Sequence, residues 1–222
     1  MAYSSARTHL AVTTDVVLFS IRAERLEVLL VKRRANPFTG TWALPGGFVG
    51  VDENLESCAL RELAEKAGVT GVYLEQLHTS GDPQRDPRER VISVAYYALI
   101  PSDRLRMRPT VEDTTVGWFP LDRLPLMAFD HAGIVGMAHK RLVAKLDYST
   151  IAYQFMPGKF TLGDLQSVYE IILGEVLDKR NFRKRMLALD RIEKTDEQRR
   201  NGNHRPARLY RLRFPHKVEI IK

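Results

Sequence analysis

The stretch from Gly46 to Val69, GGFVGVDENLESCALRELAEKAGV, constrains this chain more than any other, because it sets a glycine turn directly before a helix crowded with carboxylates. Pro45, Gly46 and Gly47 break the strand that Thr41 to Leu44 begin, and glycine there permits positive φ and close approach of backbone to a ligand. From Glu53 to Ala67 there is no Gly or Pro, and Leu55, Ala59 and Leu63 recur four apart. That spacing predicts a helix with a narrow apolar stripe, stopped by Gly68. Glu62, Glu65 and Lys66 then share one polar face, with Arg61 adjoining. Carboxylates grouped this way suit a hard divalent ion bound to a phosphate, and the plainer alternative is a solvated face with a Glu62–Lys66 ion pair. Cys58, in the same helix, is read as a small core residue.

Two domains are indicated by the distribution of charge. Residues 1–150 hold 18 Lys and Arg against 18 Asp and Glu, whereas residues 151–222 hold 16 against 9, so the whole net charge of +7 lies in the last third. Such asymmetry implies two units with different partners, the second polyanionic. A hydrophobic content of 44% supports real cores, and the single cysteine excludes an internal disulfide framework, which fits a reducing cytoplasm. No run approaches the ~18 apolar residues of a membrane helix, so a soluble, cytoplasmic protein is expected.

Along the first unit, Thr8 to Ser20 and Leu26 to Arg33 form a predicted hairpin of two strands, with further strands at Tyr73 to Ser80, Val91 to Ile100 and Val116 to Pro120. Arg33 to Trp42 supplies turn residues and two aromatics, Phe38 and Trp42, which either pack locally or stack on a base. The polar loop GDPQRDPRER, Gly81 to Arg90, offers Arg85, Arg88 and Arg90 for bidentate contact with an anion, or for pairing with Asp82, Asp86 and Glu89. A helix is predicted over Asp130 to Leu146. Asp147 to Phe160, with Pro157-Gly158 and little periodicity, is the expected boundary, dividing the chain into 1–148 and 149–222.

Gly47, five residues, Glu53, seven residues, then Arg61-Glu62-Leu63-Ala64-Glu65-Lys66-Ala67-Gly68-Val69 resembles the Nudix box. Seven specified positions match over twenty-three residues, with one departure: the family has a second glutamate where this chain has Lys66. The resemblance implies an α/β/α sandwich with a mixed sheet. It also implies that Glu62 and Glu65 are metal ligands, with Glu62 assisting or acting as a base. Lys66 removes a ligand, sets positive charge beside the metal position and can pair with Glu62, so catalysis is not expected. The loop before VISVAYYAL and the segment WFPLDRLPLMAFDH are similar to Nudix proteins acting on ADP-ribose. Glu112 and Asp113 lie where some Nudix enzymes supply another carboxylate, which leaves Mg2+-dependent ADP-ribose hydrolysis by Glu62, Glu65 and Glu112 as the alternative. The effector-binding set implied is Arg33, Phe38, Trp42, Gly46, Gly47, Arg61, Arg85 and Arg88.

In the basic third, Thr161 and Asp164 form a capping-box-like start to a helix whose apolar face is Leu162, Leu165, Val168, Tyr169 and Ile172, ended by Gly174. Asp178 caps a second helix, Lys179 to Leu189, with Phe182, Met186 and Leu189 inward and Arg180, Asn181, Arg183, Lys184 and Arg185 polar. Two short helices, the second basic, make a helix-turn-helix pattern. Strands at Arg191 to Thr195 and Arg208 to Phe214 flank the hairpin turn Asn201-Gly202, beside Arg199, Arg200, Asn203, His204 and Arg205. A basic domain that only docks on protein remains the plainer reading of the charge. This arrangement resembles a winged helix. The order of both domains, with FTLGDLQSVYEIILG, DKRNFRKRM and NHRPARLYR, resembles Nudix-related transcriptional regulators of NAD metabolism. That resemblance implies a homodimeric repressor, a double-stranded DNA operator, and ADP-ribose or a related nucleotide as effector, with no cofactor needed for DNA binding.

Overall fold

In the computed structural model the described residues are 10–105, 114–200, 206–215 and 217–221. Strands β1 (Ala11–Arg22) and β2 (Arg25–Lys32) form the hairpin, turned by Ala23 and Glu24 at φ 44° and 58°. Both turn residues take positive φ, the geometry whose twist matches paired strands. The other edge of β1 runs parallel to β6 (Val91–Leu99), which pairs antiparallel with β5 (Tyr73–Ser80).

Two strands share the remaining edge of β1 in series. β2 takes Phe19–Arg22, while the short β4 (Gly46–Phe48) takes Thr13–Asp15. β3 (Trp42–Ala43) and β7 (Val116–Pro120) pair with β2. The mixed sheet therefore forks at Asp15 and Val16, and the fork opens the space used below.

The glycine segment before the helix is thus a strand, where a turn is expected from composition. Neither Gly46 nor Gly47 has positive φ. Close approach is what requires glycine here. A Cβ on Gly47 would stand 2.2 Å from the Glu62 carboxylate, and one on Gly46 2.3 Å from the carbonyl of Thr14.

Helix α1 (Leu55–Ala67) covers one face of the sheet, capped by Asn54, which accepts from the Ser57 amide at 2.8 Å, and closed by Gly68 at φ 65°. Ala59, Leu63 and Ala67 pack on Val16, Leu18, Leu29 and Tyr96. Helix α2 (His131–Tyr148) covers the other face, where Ile134, Val135, Ala138 and Leu142 meet Val17, Phe19, Val28 and Tyr97. This is the expected α/β/α sandwich. Every residue of β1 from Thr14 to Ser20 is buried, because a central strand with helices on both sides has no solvent face.

The segment after α2 is no loose linker. Ile151–Phe155 forms a 3-10 helix, and Ile151, Ala152, Tyr153, Phe155 and Phe160 are buried in one core continuous with the α2 face of the sheet. Its apolar side chains carry no helical or strand period, so the pattern that marks buried elements is missing here. The same core runs on through α3 (Leu162–Leu173) and α4 (Lys179–Ala188) to the hairpin β8 (Ile192–Arg199) and β9 (Ala207–Leu212). Phe160 adds a bridge to this hairpin, exchanging two backbone bonds with Tyr210 at 3.0 and 2.8 Å. Near the C terminus, Glu219 and Ile221 bond back to Thr150 and Tyr148. Among the described residues no helix is long and apolar enough to cross a membrane.

Candidate functional site

At the fork of the sheet lies a cavity of about 370 Å³, a size that suits a nucleotide-like ligand. Thr13 and Asp15 come from β1, Val31 to Ala35 from the end of β2 and beyond, Gly46 to Phe48 from β4, and Arg85, Asp86 and Arg88 from the polar loop. Phe129 and His131 close it from the start of α2, and Lys66 from the end of α1.

Its buried floor is an ionic network drawn from four separate segments. Asp15 is 6% exposed and receives Ser93 Oγ, with His131 Nε2 at 3.5 Å and Arg85 Nη2 at 3.4 Å. Burial alone would raise this carboxyl, but the hydrogen bonds from His131 and the Ser93 hydroxyl and the Arg85 charge outweigh it and lower the pKa to about 2. His131 Nδ1 accepts the Leu44 amide at 3.0 Å, which leaves Nε2 as the protonated side toward Asp15. Arg85 also makes a two-pronged pair with Asp130, at 3.1 and 2.8 Å. Asp15, Asp130 and His131 carry no sequence pattern that marks them.

The cavity's rim is cationic and aromatic. Arg33 lies 4.8 Å over the Phe129 ring and donates to the carbonyl of Pro37 at 2.8 Å, a partner that leaves its charge uncancelled. Burial and the neighbouring Arg88 charge lower the Arg33 guanidinium, a crowding that an anion would relieve. Arg88 pairs with Asp86 at 2.7 Å and lies between the faces of Phe48 and Phe129, 5.8 and 5.9 Å away.

Three expected effector residues, Trp42, Phe38 and Arg61, stand outside the cavity lining, as does Arg90 of the polar loop. Trp42 packs edge-on against Phe119 at 4.6 Å and against the core, so it supports the sheet. Phe38 reaches only the edge of Phe129, at 4.9 Å, and Arg90 bonds to the Gly81 carbonyl. Arg61 is turned away into a carboxylate clamp: it meets Glu53 at 2.7 Å, Glu62 at 2.7 Å and Glu65 at 3.3 Å. Its hydrogen bond is the main reason Glu53 is held at about 2. The aromatic walls are Phe48 and Phe129 instead, and Phe129 sits at φ 54°, a backbone state no local motif signals.

The carboxylates of α1 do not fit a divalent metal. Glu62 is 5% exposed, with one oxygen taken by Arg61 and the other 2.8 Å from Lys66 Nζ. Lys66 also donates to the Gly46 carbonyl. Among the described residues no three His, Cys, Asp or Glu side chains are grouped to hold a metal. Glu112 and Asp113 lie outside the described residues.

A second surface lies on the basic third. Asp178 caps α4, accepting the Asn181 amide at 2.7 Å, and Arg180, Asn181, Arg183 and Lys184 are all exposed. Between α4, the start of α3 and the hairpin runs a groove of about 640 Å³ bordered by Gly163, Lys179, Arg183, Gln198 and Arg208. Arg199 Nη2 sits on both oxygens of Asp164 at 2.6 and 2.7 Å, tying the hairpin to the capped start of α3. Arg200 is exposed, while Asn203, His204 and Arg205 lie outside the described residues.

Family models match this arrangement in both parts: the NUDIX domain over residues 10–136 and the NrtR DNA-binding winged helix domain over residues 152–212. The ADPR responsive transcriptional repressor NtrR of Acinetobacter baylyi is 41% identical over 204 residues, covering 90% of this chain and 81% of that protein. This chain belongs to the NrtR family of Nudix proteins. Among solved structures, Shewanella oneidensis NrtR complexed with a 27mer DNA superposes with a TM-score of 0.83 at 38% identity, over 91% of this chain and 93% of that one. The NUDIX domain of the same NrtR complexed with ADP ribose matches with a TM-score of 0.57 at 38% identity, over 64% of this chain and 94% of that chain. In this member of the NrtR family one continuous core joins the cationic, aromatic-lined cavity to a helix with an exposed basic face.

Proposed function

We propose that this protein is a DNA-binding transcriptional repressor whose Nudix domain senses ADP-ribose or a related NAD-derived nucleotide and releases its operator on binding. The observation that carries the reading is the pairing, within one core, of a cationic and aromatic cavity with an exposed basic helix. The kinship with a repressor responsive to ADPR across most of the chain supports it.

In this reading residues 1–148 form the sensor and 149–222 the DNA-binding unit. The nucleotide's diphosphate meets Arg33, Arg88, Lys66 and the backbone of Gly46 and Gly47, its base lies against Phe129 or Phe48, and Arg85 orders the floor. Arg180, Asn181, Arg183 and Lys184 approach the major groove, with Arg200 and the hairpin tip, including Asn203, His204 and Arg205, on the backbone. A homodimer places two such helices on half-sites one helical turn apart, and the ligand favours a geometry that no longer matches them. The protein works in the cytoplasm and needs no cofactor to bind DNA.

Hydrolysis of ADP-ribose with Mg2+ is the competing reading, and Lys66 weighs against it because it occupies the oxygens a metal would need. Fluorescence anisotropy against DNA upstream of the protein's own gene and neighbouring operons, with and without ADP-ribose, tests the proposal. Specific binding reversed by ADP-ribose supports it. Weak, salt-sensitive binding to every DNA, together with turnover of ADP-ribose in Mg2+, would replace it with the hydrolase reading.

A further inference from the structure

We infer that the Lys66 ammonium is a tethered cation standing in for a divalent ion, so that the nucleotide is held in this cavity without any metal. The inference rests on the sensor reading above and specifies how its ligand is recognised.

Lys66 Nζ is 2.8 Å from Glu62 Oε2 and donates to the carbonyl oxygen of Gly46. A carboxylate oxygen and a backbone carbonyl are the hard donors that Mg2+ and Ca2+ take, and here a monovalent cation built into the chain sits on both. Its surroundings are shaped to keep it there. Glu62 is buried, and its carboxylate presses so closely on the β4 backbone that a Cβ on Gly47 would collide with it. The second Glu62 oxygen is fixed by Arg61 Nη1 at 2.7 Å. An ammonium has three N–H donors, of which one goes to the Gly46 carbonyl while Glu62 faces the group as an ion-pair partner. Lys66 is a third exposed and lines the cavity, so an N–H remains available to a ligand oxygen there.

A metal ion in such a place would do two things: neutralise the diphosphate and activate a water. An ammonium supplies charge and a hydrogen bond only. It has no open coordination position and cannot turn a bound water into hydroxide. The single exchange of carboxylate for lysine therefore keeps anion recognition and removes the means of cleavage, the combination a sensor requires if its signal is not to be consumed. With Arg33 and Arg88 at the same rim, the cation count facing a diphosphate is sufficient without solution Mg2+.

Calorimetric titration of ADP-ribose into the full chain, first in EDTA and then in excess Mg2+, tests this. The expected affinities agree within about threefold, whereas Lys66→Met weakens binding by about tenfold or more in EDTA, the worth of one charge-assisted hydrogen bond. Lys66→Glu is expected to bind ADP-ribose only when Mg2+ is present, since it restores a carboxylate beside Glu62. Melting curves of both variants establish that they are folded, and the Lys66→Glu comparison of EDTA with Mg2+ stands within one protein. Native binding that requires Mg2+, or a folded Lys66→Met that binds as well as the native chain, overturns the inference while leaving the sensor reading intact. Absence of ADP-ribose binding in every condition overturns both.

Discussion

Arg185, on the basic helix α4, donates through Nη2 to the carbonyl oxygen of Leu146 at 3.3 Å and to that of Asp147 at 3.4 Å. These carbonyls lie in the last turn of α2, where the helix dipole favours a cation. The other end of α2 begins at Asp130 and His131, whose side chains meet Arg85 and Asp15 on the cavity floor. One helix of 18 residues, about 27 Å long, thus touches the cavity floor at one end and the basic helix α4 at the other. Replacing Arg185 by Ala is expected to leave operator affinity within about threefold but to cut the effect of ADP-ribose on it by about fivefold or more, the lower range of allosteric coupling. The slope of log affinity against log salt separates this from a phosphate contact: it stays unchanged if Arg185 works through α2, and falls by roughly 1 if it binds DNA backbone.

Acid sensitivity should follow from Asp15. Its folded pKa of about 2 lies below the ordinary 3.8, so its ionised form stabilises the native state above the unfolded value. That stabilisation, on the order of 2 kcal/mol, is lost as pH falls from about 4 to about 2. Asp15→Asn is expected to lower the melting temperature at pH 7 and to flatten the fall in stability between pH 4 and 2. A variant whose acid unfolding matches the native curve would show that other carboxylates govern it.

The continuous core makes a claim about cooperativity. Phe160 is fully buried, contacts both the junction and the hairpin, and bonds through its backbone to Tyr210. Truncation to Ala should cost about 3–5 kcal/mol, with the loss appearing in one unfolding transition rather than in a basic domain that melts alone. Two separated transitions in calorimetry would mean that the shared core does not couple the halves.

Much of this architecture is written locally in the chain. The periodic stripe of α1, the caps at Thr161 and Asp178, and the strand-like segments that become β5 and β7 all give elements at or near their observed bounds, because each depends on neighbours within a few residues. The Glu62–Lys66 pair is legible for the same reason, being one helical turn apart. What depends on distant partners is not. Gly46–Phe48 is a strand only because β1 offers it an edge, and glycine propensity argues against it. Asp15, Arg85 and His131 meet from β1, a loop and α2, and Arg199 finds Asp164 across 35 residues. Trp42 and Phe38 are conspicuous aromatics in a turn-rich segment, yet Phe48 and Phe129 are the ones that line the cavity.

Phe129 accordingly carries a specific expectation. With Arg33 at 4.8 Å over its ring and Arg88 nearby, it forms a flat, electron-rich wall beside two guanidinium groups, the place the sensor reading gives to the base. Phe129→Ala should weaken ADP-ribose binding by about tenfold, as loss of one stacked base does, with operator binding in the absence of ligand unchanged. Phe38→Ala, which removes only an edge contact, should cost less than about threefold. Equal losses from the two would move the base toward Phe38.

On the DNA side, Arg183 and Lys184 are exposed on α4, and Arg183 borders the groove shared with Gln198 and Arg208. If both neutralise phosphates, each releases about one counterion when the complex forms. Arg183→Ala with Lys184→Ala should therefore weaken binding to operator and unrelated DNA alike, and reduce the salt slope by roughly 2. Arg199→Ala provides the contrast. Its Nη2 pairs with Asp164, so its loss should lower thermal stability while the salt slope stays where it was. A salt slope that falls for Arg199→Ala and holds for the double variant would place the DNA against the hairpin base rather than against α4.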